Sequence, residues 1–336
     1  VPRLLIFARK SYIIYVTIFQ KARIMTVINL KNGNEIKITD GMTLSCALGN
    51  FDGVHRGHAA LLKKATEKGT CTHSAVWTFR RHPSLCSGDE SFSALTTTEQ
   101  RLSLFAGAGI DLAVLCDFPD VKDVSPEDFA LRILYNECHV RRAVCGYNFR
   151  YGKNASGTPT ALSEELKALG AEEITVDAVK SADGAVISSS AIRRFLEEGD
   201  IERANDFLGR EFCISLPVSE GQRLGRTLGL PTVNQVFPPH LVIPRHGVYA
   251  AKCTVDGKEY KAIANIGVRP TVISHAENVN CETHIIGFSG DLYGKTVPVR
   301  LCRFLRDEKK FSSVDELKSA ILADEERAVR LLSDEE

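Results

Sequence analysis

Ten consecutive residues constrain this chain more than any other stretch: Gly49-Asn50-Phe51-Asp52-Gly53-Val54-His55-Arg56-Gly57-His58. The apolar run Leu44 to Leu48 before them reads as a buried strand, and Ala59 to Ala65 after them reads as a helix. Two histidines three residues apart then share one face of the first helical turn. The backbone N–H groups of that turn have no intrahelical acceptor, and the helix dipole is positive there, so the place suits a phosphate. Gly53 and Gly57 lack a Cβ and let a ligand approach the backbone. Two imidazoles above a helix N-terminus can stabilise charge building on a transferring phosphoryl group. A decorated surface turn is the plainer alternative. The position of the whole string, between strand and helix, favours the phosphate site.

Length and composition leave room for two domains. The chain has 336 residues, 44% hydrophobic and 25% charged, which is ordinary for a soluble globular protein. Lys plus Arg equals Asp plus Glu at 42 each, so no global field recruits nucleic acid or an anionic membrane. The 10 cysteines include no C-x-x-C pair, and Cys46, Cys116, Cys145 and Cys253 sit within apolar runs as small hydrophobes. That argues against a zinc site or disulfide framework and for a reducing cytoplasm. In the first 24 residues, Arg9, Lys10 and Ser11 break the apolar runs, so none approaches the roughly 20 residues needed to span a bilayer. Residues 1–24 are expected to be an extension outside the fold, with a globular start at Met25.

From Leu44 to Leu208, near-continuous apolar strands alternate with amphipathic helices, which predicts an α/β domain with a parallel sheet covered on both faces. Ser125-Pro126-Glu127-Asp128 is a helix start, with Ser as cap and Pro at the first position. After Gly209 the strands follow one another without helices, which predicts an antiparallel β module, a barrel, closed by an amphipathic helix from about Val314. The expected domains are 25–208 and 209–336.

Three further stretches belong with the opening string. Thr78-Phe79-Arg80-Arg81-His82-Pro83 follows a strand, where ligands gather in an open parallel sheet. Gly146 to Thr158 joins glycines to aromatics and amides, including Asn148 and Phe149, which suits a planar ring with polar edges. Ser188, Ser189 and Ser190 open a helix with Arg193 one turn in, a second place for an anion. Together, GNFDGVHRGH, TFRRHP and ISSSAIR resemble the motifs of the nucleotidyltransferase superfamily. They look most like the version in bacterial bifunctional riboflavin kinase/FAD synthetases. Arg81 stands where that family usually has Pro, and Ser190 where it has Thr.

The resemblance continues in the second half. Gly221-Gln222-Arg223-Leu224-Gly225-Arg226-Thr227-Leu228-Gly229 is a loop able to embrace phosphates. It runs into Pro231-Thr232-Val233-Asn234, which resembles the riboflavin kinase PTxN signature. Thr232 and Asn234 offer neutral oxygen ligands suited to Mg²⁺. Cys281-Glu282-Thr283-His284-Ile285 resembles the kinase's VExHI strand, with Glu282 and His284 on one face. Asn265 and Arg306 lie in further stretches that match the family. Leu216 and Glu220 depart from it, standing where Gly and His are common.

The resemblance implies two activities. Riboflavin is phosphorylated with ATP to FMN, and FMN is then adenylylated with ATP to FAD, releasing pyrophosphate. His55, His58 and Arg193 are implied as catalytic for adenylyl transfer, with Asn50, Asp52, Gly53, Gly57, Ser188, Ser189 and Ser190 around the ATP phosphates. His82, Pro83, Asn148 and Phe149 are implied on the flavin. In the kinase, Glu282 is the implied general base. Gly221, Gly225, Arg226 and Gly229 hold phosphate, Asn265 and Arg306 face flavin, and Thr232 and Asn234 hold Mg²⁺ that arrives with ATP. One rival is a nucleotidyltransferase for another phosphorylated or acidic substrate, which would not need the kinase motifs. A tRNA synthetase is disfavoured by the missing lysine-rich loop. A non-catalytic flavin-binding protein would not need this set of histidines, threonine, asparagine and glutamate.

Overall fold

The computed structural model describes residues 13–18, 23–30, 38, 41–219, 231–269 and 278–333. They fall into two compact units, one up to Ser188 and one from Ser189 onward.

The first unit is built on a seven-stranded sheet in the order β1-β2-β5-β4-β3-β6-β7. Its strands are β1 (Ile13–Ile18), β2 (Arg23–Leu30), β3 (Leu44–Leu48), β4 (His73–Phe79), β5 (Leu112–Cys116), β6 (Val140–Gly146) and β7 (Glu172–Val176). All neighbours are parallel except β1 and β2. The helices are α1 (Arg56–Thr66), α2 (Pro83–Cys86), α3 (Thr98–Gly107), α4 (Phe118–Val121), α5 (Pro126–Asp128) and α6 (Pro159–Ala168). α5 continues as a π-helical segment, Phe129–Glu137, and Ser125 caps it by accepting from the Asp128 N–H. Every residue of β3 and β5 is buried. Their successive side chains feed two cores: Cys46 packs with Trp77 and Phe129 on one face, Ala47 with Leu62 and Phe105 on the other.

The second unit opens with α7 (Ser189–Glu198) and α8 (Ile201–Leu208). Its six-stranded sheet has the order β8-β13-β10-β11-β12-β9, antiparallel throughout. The strands are β8 (Phe212–Pro217), β9 (Thr232–Val236), β10 (Gly247–Val255), β11 (Lys258–Arg269), β12 (Asn278–Ile285) and β13 (Thr296–Arg306). The two ends of the order meet. Ser219 N–H donates to the Asn234 carbonyl at 2.8 Å, and buried Gln235 on β9 donates to the carbonyls of Leu216 and Val297 at 2.6 and 2.8 Å. The sheet is thereby curled into a barrel, and Leu216 is one of its buried seams. A closing helix, α9 (Val314–Ser333), lays Ala328 and Leu332 on Val248 and Ile263.

At two places the structure adds to the sequence reading. The sequence puts residues 1–24 outside the fold, but β1 lies within them and pairs antiparallel with β2 from Ile13–Ile28 to Ile18–Arg23. The run Ile13–Ile18 is β-branched and aromatic throughout, which suits a strand as well as it suits an extension. The sequence also puts the junction at 208/209, whereas the compact units divide between Ser188 and Ser189. The reason is local. Phe195 of α7 meets Phe207 of α8 edge-on at 5.1 Å, and Asn205 of α8 donates to the Leu301 carbonyl and accepts from the Phe212 N–H. Both helices are held by the barrel.

Candidate functional site

The first unit gathers its polar residues at the carboxyl ends of β3 and β4, where an open parallel sheet receives ligands. The chain leaves β3 in a strained loop: Phe51 and Val54 have φ of 54° and 41°, each a cost of order 1–3 kcal/mol for residues with a Cβ. Two features hold the strain. Gly53, at φ 79°, has no room for a side chain, since a Cβ would meet Leu95 Cδ1 at 2.6 Å. Asp52, 4% exposed, accepts from the N–H groups of Leu95 (2.9 Å) and Thr96 (3.3 Å).

His55 then caps α1. Its Nδ1 accepts from the His58 N–H at 3.2 Å, which assigns the ring proton of the neutral imidazole to Nε2. The two imidazoles stack at 3.7 Å between centroids, 14° from parallel. Gly57 lies under this stack, where a Cβ would come within 3.0 Å of the His55 ring. The same point is 3.9 Å from the Ile187 carbonyl, so the chain passes beside this turn as it approaches Ser188. From β4, His82 caps α2 through Nδ1 and Ser84 N–H, stacks on Phe92 at 4.0 Å, and meets the Asn50 side-chain amide at 3.3 Å. His55, Gly57 and His58 thus form one cluster, and Asn50 and His82 an adjoining pair on the same strand ends. Pro83 opens α2.

The loop after β6 is tied down by aromatics. Tyr151 stacks with Phe149 at 5.7 Å and donates to Glu165 at 2.8 Å. Burial, with the Glu165 carboxylate alongside, pushes the Tyr151 phenol well above its ordinary value. Asn148 is exposed, whereas Phe149 packs partly against the core. Ser188 ends the first unit, and Ser189, Ser190 and Arg193 lie on α7 of the second.

The second unit forms its site on three adjacent strands. Register places Asn265 (β11) opposite Glu282 (β12), and Glu282 opposite Asn234 (β9). Thr232 lies opposite His284 in the same way. Alternation puts Asn280, Glu282 and His284 on one face. Asn280 donates to Asn234 Oδ1 at 3.1 Å and to Glu282 Oε1 at 3.3 Å. His284 Nδ1 donates to the Pro231 carbonyl at 3.0 Å, fixing the start of β9, and its Nε2 lies 3.8 Å from Glu325 of α9. A cavity of about 280 Å³ opens here, lined by Thr232, Asn265, Glu282, His284 and Arg306, with Ile263, Phe311, Leu317 and Ile321 as apolar wall. A smaller one of about 50 Å³ lies on the other side of Thr232, beside Val218, Pro231 and Tyr293.

Two residues read from the sequence as ligand contacts do structural work. Asp52 uses its carboxylate on the backbone of Leu95 and Thr96. Arg306 grips Asp324 of α9 with Nε at 3.0 Å and Nη2 at 2.7 Å, and donates from Nη1 to the Asp307 carbonyl. An acidic residue in a phosphate loop and an arginine in a flavin stretch look like ligand contacts until their neighbours are known. Asn234, read as a metal ligand, is buried with Oδ1 already accepting from Asn280; a carbonyl oxygen keeps a second lone pair. Gly221, Gly225, Arg226 and Gly229 lie outside the described residues. Asn280 and Arg101 are the residues sequence reasoning missed. Alternation along β12 could have found Asn280, but nothing in the sequence distinguishes Arg101 from a solvated helix face.

The FAD synthetase family model matches residues 38–191, and the riboflavin kinase family model matches residues 208–332. A bifunctional riboflavin kinase/FMN adenylyltransferase of Bacillus subtilis is 33% identical over 295 residues, covering 85% of this chain and 92% of that protein. The Escherichia coli K12 protein of the same name is 35% identical over 284 residues, covering 83% and 89%. A solved structure of a Streptococcus pneumoniae protein named as a macrolide-efflux protein superposes with a TM-score of 0.77. It is 28% identical and covers 89% of this chain and 97% of that one. Among the described residues no helix is long and apolar enough to cross a membrane.

Proposed function

The chain belongs to the bifunctional riboflavin kinase/FMN adenylyltransferase family, and from that premise we propose which of its residues carry each reaction. It phosphorylates riboflavin and adenylylates FMN, with ATP as donor in both.

Adenylyl transfer is assigned to the first unit. An oxygen of the FMN phosphate attacks the α-phosphorus of ATP, the bond to the bridging oxygen breaks, and pyrophosphate leaves. FMN phosphate is already ionised at neutral pH, so positioning and charge neutralisation carry the step and no strong base is needed. His55 Nε2–H and His58 stand over the N-terminus of α1 as donors to the phosphates. By the family motif, Ser188 to Ser190 and Arg193, at and just after the end of the first unit in sequence, are assigned to the leaving pyrophosphate. His82, Pro83 and the loop of Asn148 and Phe149 form the flavin side, with Asn50 between His82 and the phosphates.

Riboflavin phosphorylation is assigned to the barrel. Glu282 takes the proton of the ribityl 5′-hydroxyl, the oxygen attacks the γ-phosphorus, and ADP leaves. The cavity beside Glu282 has an apolar wall for the ring system and polar strand residues at its floor. Both enzymes of this kind use ATP, generally with a divalent metal. The oxygen donors Thr232 and Asn234 fit Mg²⁺, which when bound neutralises phosphate charge. All ten cysteines are free thiols, which supports a reducing cytoplasm as the working compartment.

The observation that carries the assignment is the line Asn234–Glu282–Asn265 across β9, β12 and β11, facing the larger cavity. Incubating His58→Ala with riboflavin, ATP and Mg²⁺ and separating the products by chromatography tests it. FMN should accumulate without FAD. Loss of FMN formation in the folded variant would rule out separate sites.

A further inference from the structure

Arg101 lies in the first turn of α3, 6% exposed, and among the described residues its guanidinium bonds carbonyl and hydroxyl oxygens rather than a carboxylate. It reaches out of its own helix to both loops of the first site. Nη1 donates to the Asn50 carbonyl at 2.9 Å and to Thr78 Oγ1 at 3.4 Å. Nη2 donates to the carbonyls of Phe79 and Arg80 at 2.8 and 2.7 Å. Thr98, at the first position of the same helix, donates from Oγ1 to the Arg80 carbonyl at 2.7 Å. Thr78 Oγ1 donates to Asn50 in turn.

Three strand-end carbonyls thus point at one buried cation. They belong to the segments that present the HxGH histidines (Asn50) and His82 (Phe79 and Arg80). Left buried and unpaired, such carbonyls would cost free energy and loosen both strand ends. The planar fork fits this task because its donors leave at fixed angles and span two strands. A lysine ammonium, with three donors at one point, cannot reach all of them.

We propose that Arg101 is a positioning residue for adenylyl transfer, fixing the loop after β3 against the loop after β4 so that the histidines of both hold one geometry. It touches no reacting atom. It acts through Asn50, whose carbonyl it holds and whose side chain meets His82. The inference rests on assigning adenylyl transfer to the first unit.

The test compares wild type, His58→Ala and Arg101→Lys. FAD formation from FMN, ATP affinity by calorimetry, and FMN formation from riboflavin are all measured on the full chain. A misplacement of about 1 Å costs about 10²-fold in rate. Arg101→Lys should therefore lower kcat for FAD formation about 100-fold. ATP affinity should stay within threefold, and kinase activity should be unchanged. A kcat within threefold of wild type overturns the proposal, and so does a loss of ATP affinity that accounts for the whole loss of activity. If His58→Ala also retains FAD formation, the site assignment itself has failed. If His58→Ala is inactive and Arg101→Lys is not impaired, only this inference has. Should Arg101→Lys unfold the first unit, Thr98→Val decides: a fall in kcat of about tenfold supports the clamp, and activity within twofold of wild type overturns it.

Discussion

The two units arrange the residues proposed for their two transfers in opposite ways. In the first, His55 and His82 cap helices just beyond the strands and His58 lies in the first turn of α1, and the connecting loops are held from behind by Asp52 and Arg101. In the second, Thr232, Asn234, Glu282 and Asn265 are themselves strand residues, aligned by ladder hydrogen bonds. A loop site depends on supports outside its motif, whereas a strand site carries its alignment in its own register. Changes far from the chemistry should therefore matter more in the first unit. In the second, the sensitive positions should be the site residues and the helix that covers them.

Changing one site residue on the strand face sharpens that contrast most. Glu282→Gln keeps the shape and removes the basicity, so FMN formation should fall by roughly 10²–10⁴-fold. FAD synthesis from supplied FMN should stay near wild type. A kinase rate within a factor of a few of wild type would remove Glu282 as base.

Thr232→Val comes next. It removes the oxygen proposed as a metal ligand at nearly constant volume, and riboflavin phosphorylation should drop by about tenfold, as for one lost charge-assisted contact of about 1.4 kcal/mol. Adenylylation of FMN should be untouched. Because Thr232 and Asn234 are neutral, Mg²⁺ affinity should come mostly from ATP phosphates. Calorimetry without nucleotide should show weak binding, and tight binding would mean a carboxylate cage elsewhere.

A smaller effect should follow from loosening the cover. Asp324→Asn weakens the grip on Arg306 that docks α9. Part of Arg306 is open to solvent, so the loss should be on the order of 1–2 kcal/mol rather than the 3–5 of a fully buried pair. Thermal unfolding should report a lower melting temperature, with FAD formation from FMN retained below it. An unchanged melting temperature would show that the pair does not hold the helix.

Much of this was legible in the chain because apolar periodicity and a few loops carry the fold. β3 appears at the expected residues, α5 opens at Pro126 behind its Ser125 cap as expected, and the closing helix starts at Val314 as expected. β9 was hidden because Thr232 to Val236 carries a ligand motif inside a strand. β2 was hidden because six residues from Met25 read only as a globular start. The histidine cluster and the Glu282 face were readable from spacing, since helix and strand periods place side chains directly. What spacing cannot reveal is which polar group is already satisfied. Asp52 and Arg306 are occupied by residues 43 and 18 positions away, and Arg101 by carbonyls 51, 22 and 21 positions away.

The central claim is that each site is complete without the other, and complementation tests it most directly. His58→Ala and Glu282→Gln, each folded, are given riboflavin, ATP and Mg²⁺ separately and then mixed. Separately, neither should make FAD, the first stopping at FMN and the second at riboflavin. Mixed, they should make FAD, because FMN released by one protein is used by the other. A mixture that makes no FAD would contradict the account, since the two reactions would then need both sets of residues in one chain.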